Sequence, residues 1–198
     1  MRLGCWAADR MIDVSIIPLN GKTPRIDPSA FIAPGCRIIG DVEIGPDASI
    51  WYNCVIRADV NYIRIGARSN IQDGTVIHCD SGGKDYADPS LGFPTIIGED
   101  VLVGHMAMIH GCTLRDRAFV GLGAIVMDGC VVEGDAMVAA GALLTSGKTV
   151  PHRQLWAGRP AKYVRDLTDV QITGMREGVE HYVHNAKAHK GAVRPLED

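Results

Sequence analysis

The stretch Ile26-Asp-Pro-Ser-Ala-Phe-Ile32-Ala-Pro-Gly-Cys-Arg-Ile38-Ile-Gly-Asp-Val-Glu-Ile44-Gly-Pro-Asp-Ala-Ser-Ile50 carries an isoleucine at every sixth position. Neither the 3.6-residue turn of an α-helix nor a heptad produces that interval. The step continues to Ile56, restarts at Ile65, Ile71 and Ile77, and resumes at Ile97, Val103 and Ile109. A five-residue step then leads to Leu114, Val120, Val126, Val132, Val138 and Leu144. Four residues after these leads runs a second column: Ala30, Cys36, Val42, Ala48, Cys54, Val60, Ser69, Thr75, Val101, Ala107, Thr113, Ala118, Ala124, Cys130, Ala136 and Ala142. Every member of it is small. A small and a large inward residue two positions apart describe a short strand between two corners. Gly40-Asp41, Pro46-Asp47 and Gly98-Glu99-Asp100 fall where those corners are expected. Three strands close a triangular turn, so the eighteen leads predict a parallel β-helix of about six coils.

The repeat sets the domain plan. Residues 12–150 form the β-helix, with 12–25 as an extended lead-in and 79–95 as a protruding loop; loops of that length are usually functional or disordered. Residues 1–11 do not share the pattern of the rest of the chain and are read as a disordered leader. Residues 151–198 are read as a linker and a C-terminal helix. There Thr168 and Gln171 form a capping box, and Ile172, Met175, Val179, Tyr182 and Ala186 make one apolar stripe. A helix over about 168–189 is expected to pack along a face of the coil.

Composition excludes several classes. The 198 residues carry a formal net charge of −3 with the charges scattered, so there is no basic face for nucleic acid. No run approaches the roughly 20 apolar residues of a membrane span. The N-terminus lacks the apolar core of a secretory signal, and a cytoplasmic location is expected. Of six cysteines, Cys36, Cys54 and Cys130 occupy small inward slots, which suits buried free thiols rather than a disulfide framework.

The register also places the histidines. His78 follows lead Ile77 and His110 follows lead Ile109, three faces and therefore one coil apart. Their side chains stack outward about 4.8 Å apart, close enough to share a metal ion. Arg57 follows Ile56 and continues the column one coil below His78. His105 lies two residues past Val103 and points from a different corner, with Asp73 in the same slot one coil below. A three-histidine site then needs His105 from a neighbouring chain, and cyclic symmetry makes a trimer the natural solution. Cys79 and Cys112 adjoin the histidines as less favoured thiolate candidates. His152, His181, His184 and His189 are read as solvated surface residues.

At these residues the chain resembles a known family. The run Val55-Ile-Arg-Ala-Asp-Val-Asn-Tyr-Ile-Arg-Ile-Gly-Ala-Arg-Ser-Asn-Ile-Gln-Asp-Gly-Thr-Val-Ile-His78 is similar to the signature of γ-class carbonic anhydrases, as is Ile97-Gly-Glu-Asp-Val-Leu-Val-Gly-His-Met-Ala-Met-Ile-His-Gly-Cys112. The likeness covers roughly residues 12–190 and implies a left-handed coil and a homotrimer. It also implies zinc at each interface, held by His78 and His110 of one chain and His105 of the next; iron and cobalt accept the same ligands. Arg57 and Asp59 match the family's arginine–aspartate element. Gln72 and Asp73 match residues beside the zinc-bound water, Asn70 completes the Asn-Ile-Gln-Asp motif, and Tyr182 matches a tyrosine near the metal. The implied reaction is reversible hydration of CO₂ to bicarbonate by a metal-activated hydroxide. The sequence departs from the founding enzyme where that enzyme's proton-relaying glutamates lie: Val60 and about Ser81 stand there, with Asp80, Asp85 and Tyr86 as substitute candidates. Two other readings compete: a metal-stabilised trimeric scaffold with little or no turnover, and a hexapeptide acyltransferase using one histidine as general base.

Overall fold

The computed structural model describes residues 13–81 and 92–193. The expected leader 1–11 and residues 82–91 of the expected loop, including Asp85 and Tyr86, lie outside them. The chain winds into a parallel β-helix of about seven turns followed by one helix.

Three faces share the strands. The first stacks Ser15–Ile17, the first half of Arg37–Ile44, the first half of Val55–Ile65, Val76–His78, Met108–His110, Ile125–Val126 and Leu143–Leu144. The two long strands bend across a corner, so their second halves join Arg25–Ile26, Thr95–Ile97, Thr113–Leu114, Val131–Val132 and Thr149–Val150 on the second face. The third face runs from Phe31–Ile32 through Ser49–Ile50, Asn70–Ile71, Leu102–Val103, Phe119–Val120 and Met137–Val138 to Gln154–Gly158. Ala161–Asp166 turns back antiparallel on that last strand.

The turn count exceeds the expected six because the repeat runs past both ends of the lead series. Ile16 pairs with lead Ile38, which makes the lead-in a full rung. Past Leu144, Val150 is fully buried, and Trp156 pairs with Val138 on a strand where a linker was expected. Sixteen of the eighteen leads are buried, while Ile26 and Ile32 at the open end are half-buried.

The small column needs two corrections. Val60 and Thr113 are not inward; Ile63 and Cys112 take those slots. The inward slot is fixed relative to the lead after it, so counting forward fails wherever the six-residue step breaks. Three buried hydroxyls satisfy the backbone of a neighbouring strand near the breaks: Ser69 donates to Gly98 O at 2.7 Å, Thr75 to Gly104 O at 3.1 Å and Thr95 to His78 O at 2.5 Å. All five described cysteines are free and buried.

The helix spans Asp169–Ala192, and Thr168 caps it with the expected capping box to Gln171. Its buried stripe is Ile172, Met175, Val179, Val183 and Ala186; Tyr182 sits half-buried at the edge rather than in the stripe. The stripe covers the outward side chains Leu102, Phe119, Met137 and Leu155 of the third face. Beside it, one corner of the coil carries six residues of alternating charge, Asp47, Arg68, Asp100, Arg117, Asp135 and Arg153, all with φ between 52 and 63°. The helix answers four of them: Lys187 to Asp47 at 3.8 Å, Glu180 to Arg68, Arg176 to Asp135 at 3.3 Å, and Asp169 to Arg153. The helix therefore runs back along the coil from its last turn towards its first. No helix among the described residues is long and apolar enough to cross a membrane.

Candidate metal centre

The predicted column forms in register. Arg57 pairs with His78 and His78 with His110 on adjacent strands of the first face. The His78 Nδ1 and His110 Nε2 atoms stand 3.0 Å apart. The outer nitrogen of each ring is tied to a carboxylate, His78 Nε2 to Asp59 Oδ1 at 2.7 Å and His110 Nδ1 to Asp128 Oδ1 at 2.5 Å. Arg57 closes the other side of Asp59 with an ion pair.

An ionised carboxylate only accepts hydrogen bonds. Each ring's proton in its neutral form is thereby committed to its aspartate, on Nε2 of His78 and Nδ1 of His110. The two nitrogens that face each other are then both lone-pair donors. With both ring protons turned to the aspartates, the two nitrogens 3.0 Å apart aim lone pairs at one point, a place suited to a cation. The charges reinforce this. Burial lowers the His78 pKa and outweighs Asp59, which favours the neutral ring. Burial raises the Asp59 carboxyl, but its hydrogen bonds from His78 and Arg57 prevail and hold it below the ordinary carboxylate range.

A second group lies at the other edge of the same face. His105 and Met106 turn the corner between Leu102–Val103 and Met108–His110, and Met106 adopts φ 58°. His105 Nδ1 lies 2.7 Å from Asp73 Oδ2, and the Gln72 side-chain oxygen accepts the His105 backbone N–H at 3.2 Å. Tyr182 reaches this corner from the helix, stacked edge-on against Trp51 with ring centroids 5.6 Å apart. Burial raises its phenol pKa, and the charge of Asp73 adds to the rise. Five residues separate His105 from His110 along the chain, on the order of 15 Å of extended backbone. Among the described residues of one chain, no three His, Cys, Asp or Glu side chains form a group that could hold a metal ion.

The sequence-derived residues thus divide between two edges. Arg57, His78 and His110 meet at one, with Asp59 as the bridge; Gln72, Asp73, His105 and Tyr182 meet at the other. Asn70 joins neither. It lies fully buried on the third face, where its Nδ2 donates to Ser49 Oγ at 2.9 Å and its Oδ1 has no partner among the described residues. Asp128 was missed in sequence because it stands one position beyond the histidine column. The direct bond from Asp59 to His78 was missed because periodicity fixes heights and faces, not rotamers.

Other candidates fall away. Cys79 and Cys112 are buried, and burial pushes the Cys79 thiol up to about 11 and raises that of Cys112 as well. Both thiols therefore stay protonated. His152, His181 and His184 are exposed as expected, but His189 is packed among Phe31, Trp51 and Tyr52, with Tyr52 Oη 2.9 Å from its Nδ1. At the base of the loop, Asp80 N–H donates to Phe93 O at 2.9 Å, and Asp80 O accepts from Asn61 Nδ2 at 3.1 Å.

Residues 23–58 match the family model described as bacterial transferase hexapeptide (six repeats). The chain is 46% identical to gamma carbonic anhydrase 2, mitochondrial, of Arabidopsis thaliana, over 85% of this chain and 59% of the relative. It thus spans about three fifths of the length of that plant protein. It is 48% identical to a probable carbonic anhydrase of Methanocaldococcus jannaschii, over 80% of this chain and 93% of that one. Among solved structures, a putative acetyltransferase of Bacillus cereus superposes with a TM-score of 0.84 at 37% identity, covering 91% of this chain and 99% of that one.

Proposed function

Because the chain belongs to the γ-carbonic anhydrase family of hexapeptide-repeat proteins, we propose that it is a zinc-dependent carbonic anhydrase, hydrating CO₂ reversibly to bicarbonate. The working form is a homotrimer in which His78 and His110 of one protomer and His105 of its neighbour hold the metal. One observation carries this reading: His78 Nδ1 and His110 Nε2 converge at 3.0 Å while the other nitrogen of each ring is taken by a carboxylate. Two imidazole nitrogens on a tetrahedral zinc ion lie about 3.3 Å apart, given bonds of about 2.0–2.1 Å. The pair needs only a few tenths of an ångström to fit.

The exposed apolar side chains support self-association. Met106, Met108, Leu122 and Met127 line the first face and the corner that carries His105, and Met106 is 71% exposed. Such a band beside an incomplete site fits an interface between copies.

A bound zinc ion supplies Lewis acidity that brings the pKa of water down to about 7. The chain's own groups do the rest. Arg57 holds Asp59, and Asp59 holds the His78 ring. Gln72 braces the His105 backbone while Asp73 accepts a hydrogen bond from its Nδ1, and both would meet substrate and water at that corner. Tyr182, kept protonated, offers a hydroxyl donor beside Asp73. The proton leaves through the loop base, where Asp80 is the described carboxylate candidate and Val60 contributes none. The five buried free thiols fit the reducing cytoplasm as the site of action.

A second reading, a metal-stabilised scaffold with little turnover, is favoured by Val60 and Ser81 at the relay positions. Metal content together with CO₂ hydration in weak and strong buffer separates the two. The enzyme reading expects about one zinc per protomer and turnover that rises with buffer strength. Bound metal with no hydration in any buffer supports the scaffold instead, and protein that binds no metal overturns both.

A further inference from the structure

The ring of His110 is held from the side opposite His78 by a residue that the sequence did not single out. Asp128 belongs to the next coil, just past the strand Ile125–Val126, which pairs with Met108–His110 as Met108 to Ile125 and Ile109 to Val126. Register therefore sets Met127, not Asp128, above His110. Asp128 begins the corner, and its side chain turns back to bond Nδ1 at 2.5 Å.

Two glycines make this reach possible. At Gly111 a Cβ would lie 2.3 Å from Asp128 Oδ1, so any larger residue would occupy the carboxylate's place. Gly129, with φ 67°, turns the chain out of the corner, and its N–H donates to Gly111 O at 2.8 Å, which fixes the two coils against each other. The Asp128 carbonyl accepts from Gly147 N at 2.9 Å, so its backbone is anchored to the coil beyond as well. The carboxylate is therefore delivered to His110 from a fixed frame. The same device recurs at the other edge, where Asp73 takes His105 Nδ1 at 2.7 Å.

We propose that Asp128 is a positioning residue for the metal centre: it holds the His110 proton on Nδ1, so that Nε2 presents a lone pair towards His78. The inference rests on the metal-centre reading above and adds to it the group that orients one ligand. Partners of this kind typically change metal affinity by 10–100-fold when removed.

The test compares wild-type protein with Asp128→Ala, Asp128→Asn and His110→Ala. In metal-free protein, ¹⁵N NMR of the imidazoles should find the His110 proton on Nδ1 in the wild type and in Asp128→Asn, whose amide oxygen still accepts it. In Asp128→Ala that proton should move to Nε2. Competition with a chelating dye should show Zn²⁺ affinity about 10–100-fold weaker in Asp128→Ala, with Asp128→Asn recovering most of the loss. An unmoved Nδ1 proton together with Zn²⁺ affinity within twofold of the wild type in Asp128→Ala overturns the proposal. Wild-type protein that binds Zn²⁺ no better than His110→Ala overturns the metal centre itself. That failure is distinguishable because the ring-proton measurement contains no metal.

Discussion

His78 and His110 are neighbours in register, their facing nitrogens 3.0 Å apart, although 32 residues separate them in the chain. The inserted loop between them leaves the register intact because both histidines follow buried lead isoleucines, Ile77 and Ile109. Those leads fix the heights at which the two rings stand. The site is consequently as rigid as the core beneath it, and in the proposed trimer the third ligand arrives by assembly.

Subunit sharing predicts complementation. His105→Ala and His110→Ala should each lose zinc, whereas His152→Ala, at an exposed position, should retain it. Co-refolding the first two variants in equal amounts should restore about a quarter of the sites, since random assembly places intact halves side by side at that rate. Metal analysis of the mixed oligomer reads this directly, and complete absence of recovery would contradict a shared site.

Ile77→Ala removes a fully buried side chain directly beneath the His78 column. A loss of about 2–5 kcal/mol is expected from transfer and cavity terms together. Urea titration should show a lower midpoint with an unchanged slope. A cost below about 1 kcal/mol would mean that the coil collapses around the cavity, as cores sometimes do.

Two glycine substitutions should move stability in opposite directions. A Cβ at Gly66 would meet Gly98 O at 2.4 Å, so Gly66→Ala forces adjacent coils apart and should cost about 1–3 kcal/mol. Gly174, inside the helix, has nothing within 4 Å of its Cβ position, so Gly174→Ala should stabilise by roughly 0.5–1 kcal/mol. Thermal melts of the pair check both signs.

Helix docking should be acid-sensitive through Asp135. Burial raises its pKa, but hydrogen bonds from Arg117 and Arg176 prevail and hold it below the ordinary carboxylate value. A carboxyl lowered in the folded state stabilises fully above its unfolded pKa of about 3.9, and that contribution disappears as pH falls through the folded value. Stability measured from about pH 5 down to pH 2 should therefore fall less steeply in Asp135→Asn than in the wild type. Parallel acid limbs would refute the linkage.

The six-residue period made much of this legible. It gave the faces, the inward leads and the Arg57–His78–His110 column, because inward packing allows a single register per rung. Its reading of the small column failed at Val60 and Thr113, where insertions shift the step. Asp128 escaped because it acts by turning its side chain back from a corner. The alternating charges were hidden by the same insertions: Arg117, Asp135 and Arg153 recur at intervals of 18, but Arg68 and Asp100 lie 32 apart. Tyr182 was assigned to the helix's apolar stripe by spacing alone, whereas a packed helix buries Val183 and leaves the tyrosine at its margin.

The ion pairs that fasten the helix give the molecule a gauge of its own length. From Asp169 to Lys187 the helix climbs about 27 Å, at 1.5 Å per residue. Their partners, Arg153 and Asp47, are five rungs apart on the coil, about 24 Å at a strand spacing of 4.8 Å. The two rulers agree only for this number of rungs. A duplicated or deleted coil would leave one end of the helix without its counter-charge unless about three helical residues were gained or lost with it. A repeat that could in principle grow by simple copying is thereby held to a fixed size, and Tyr182 is kept level with Asp73.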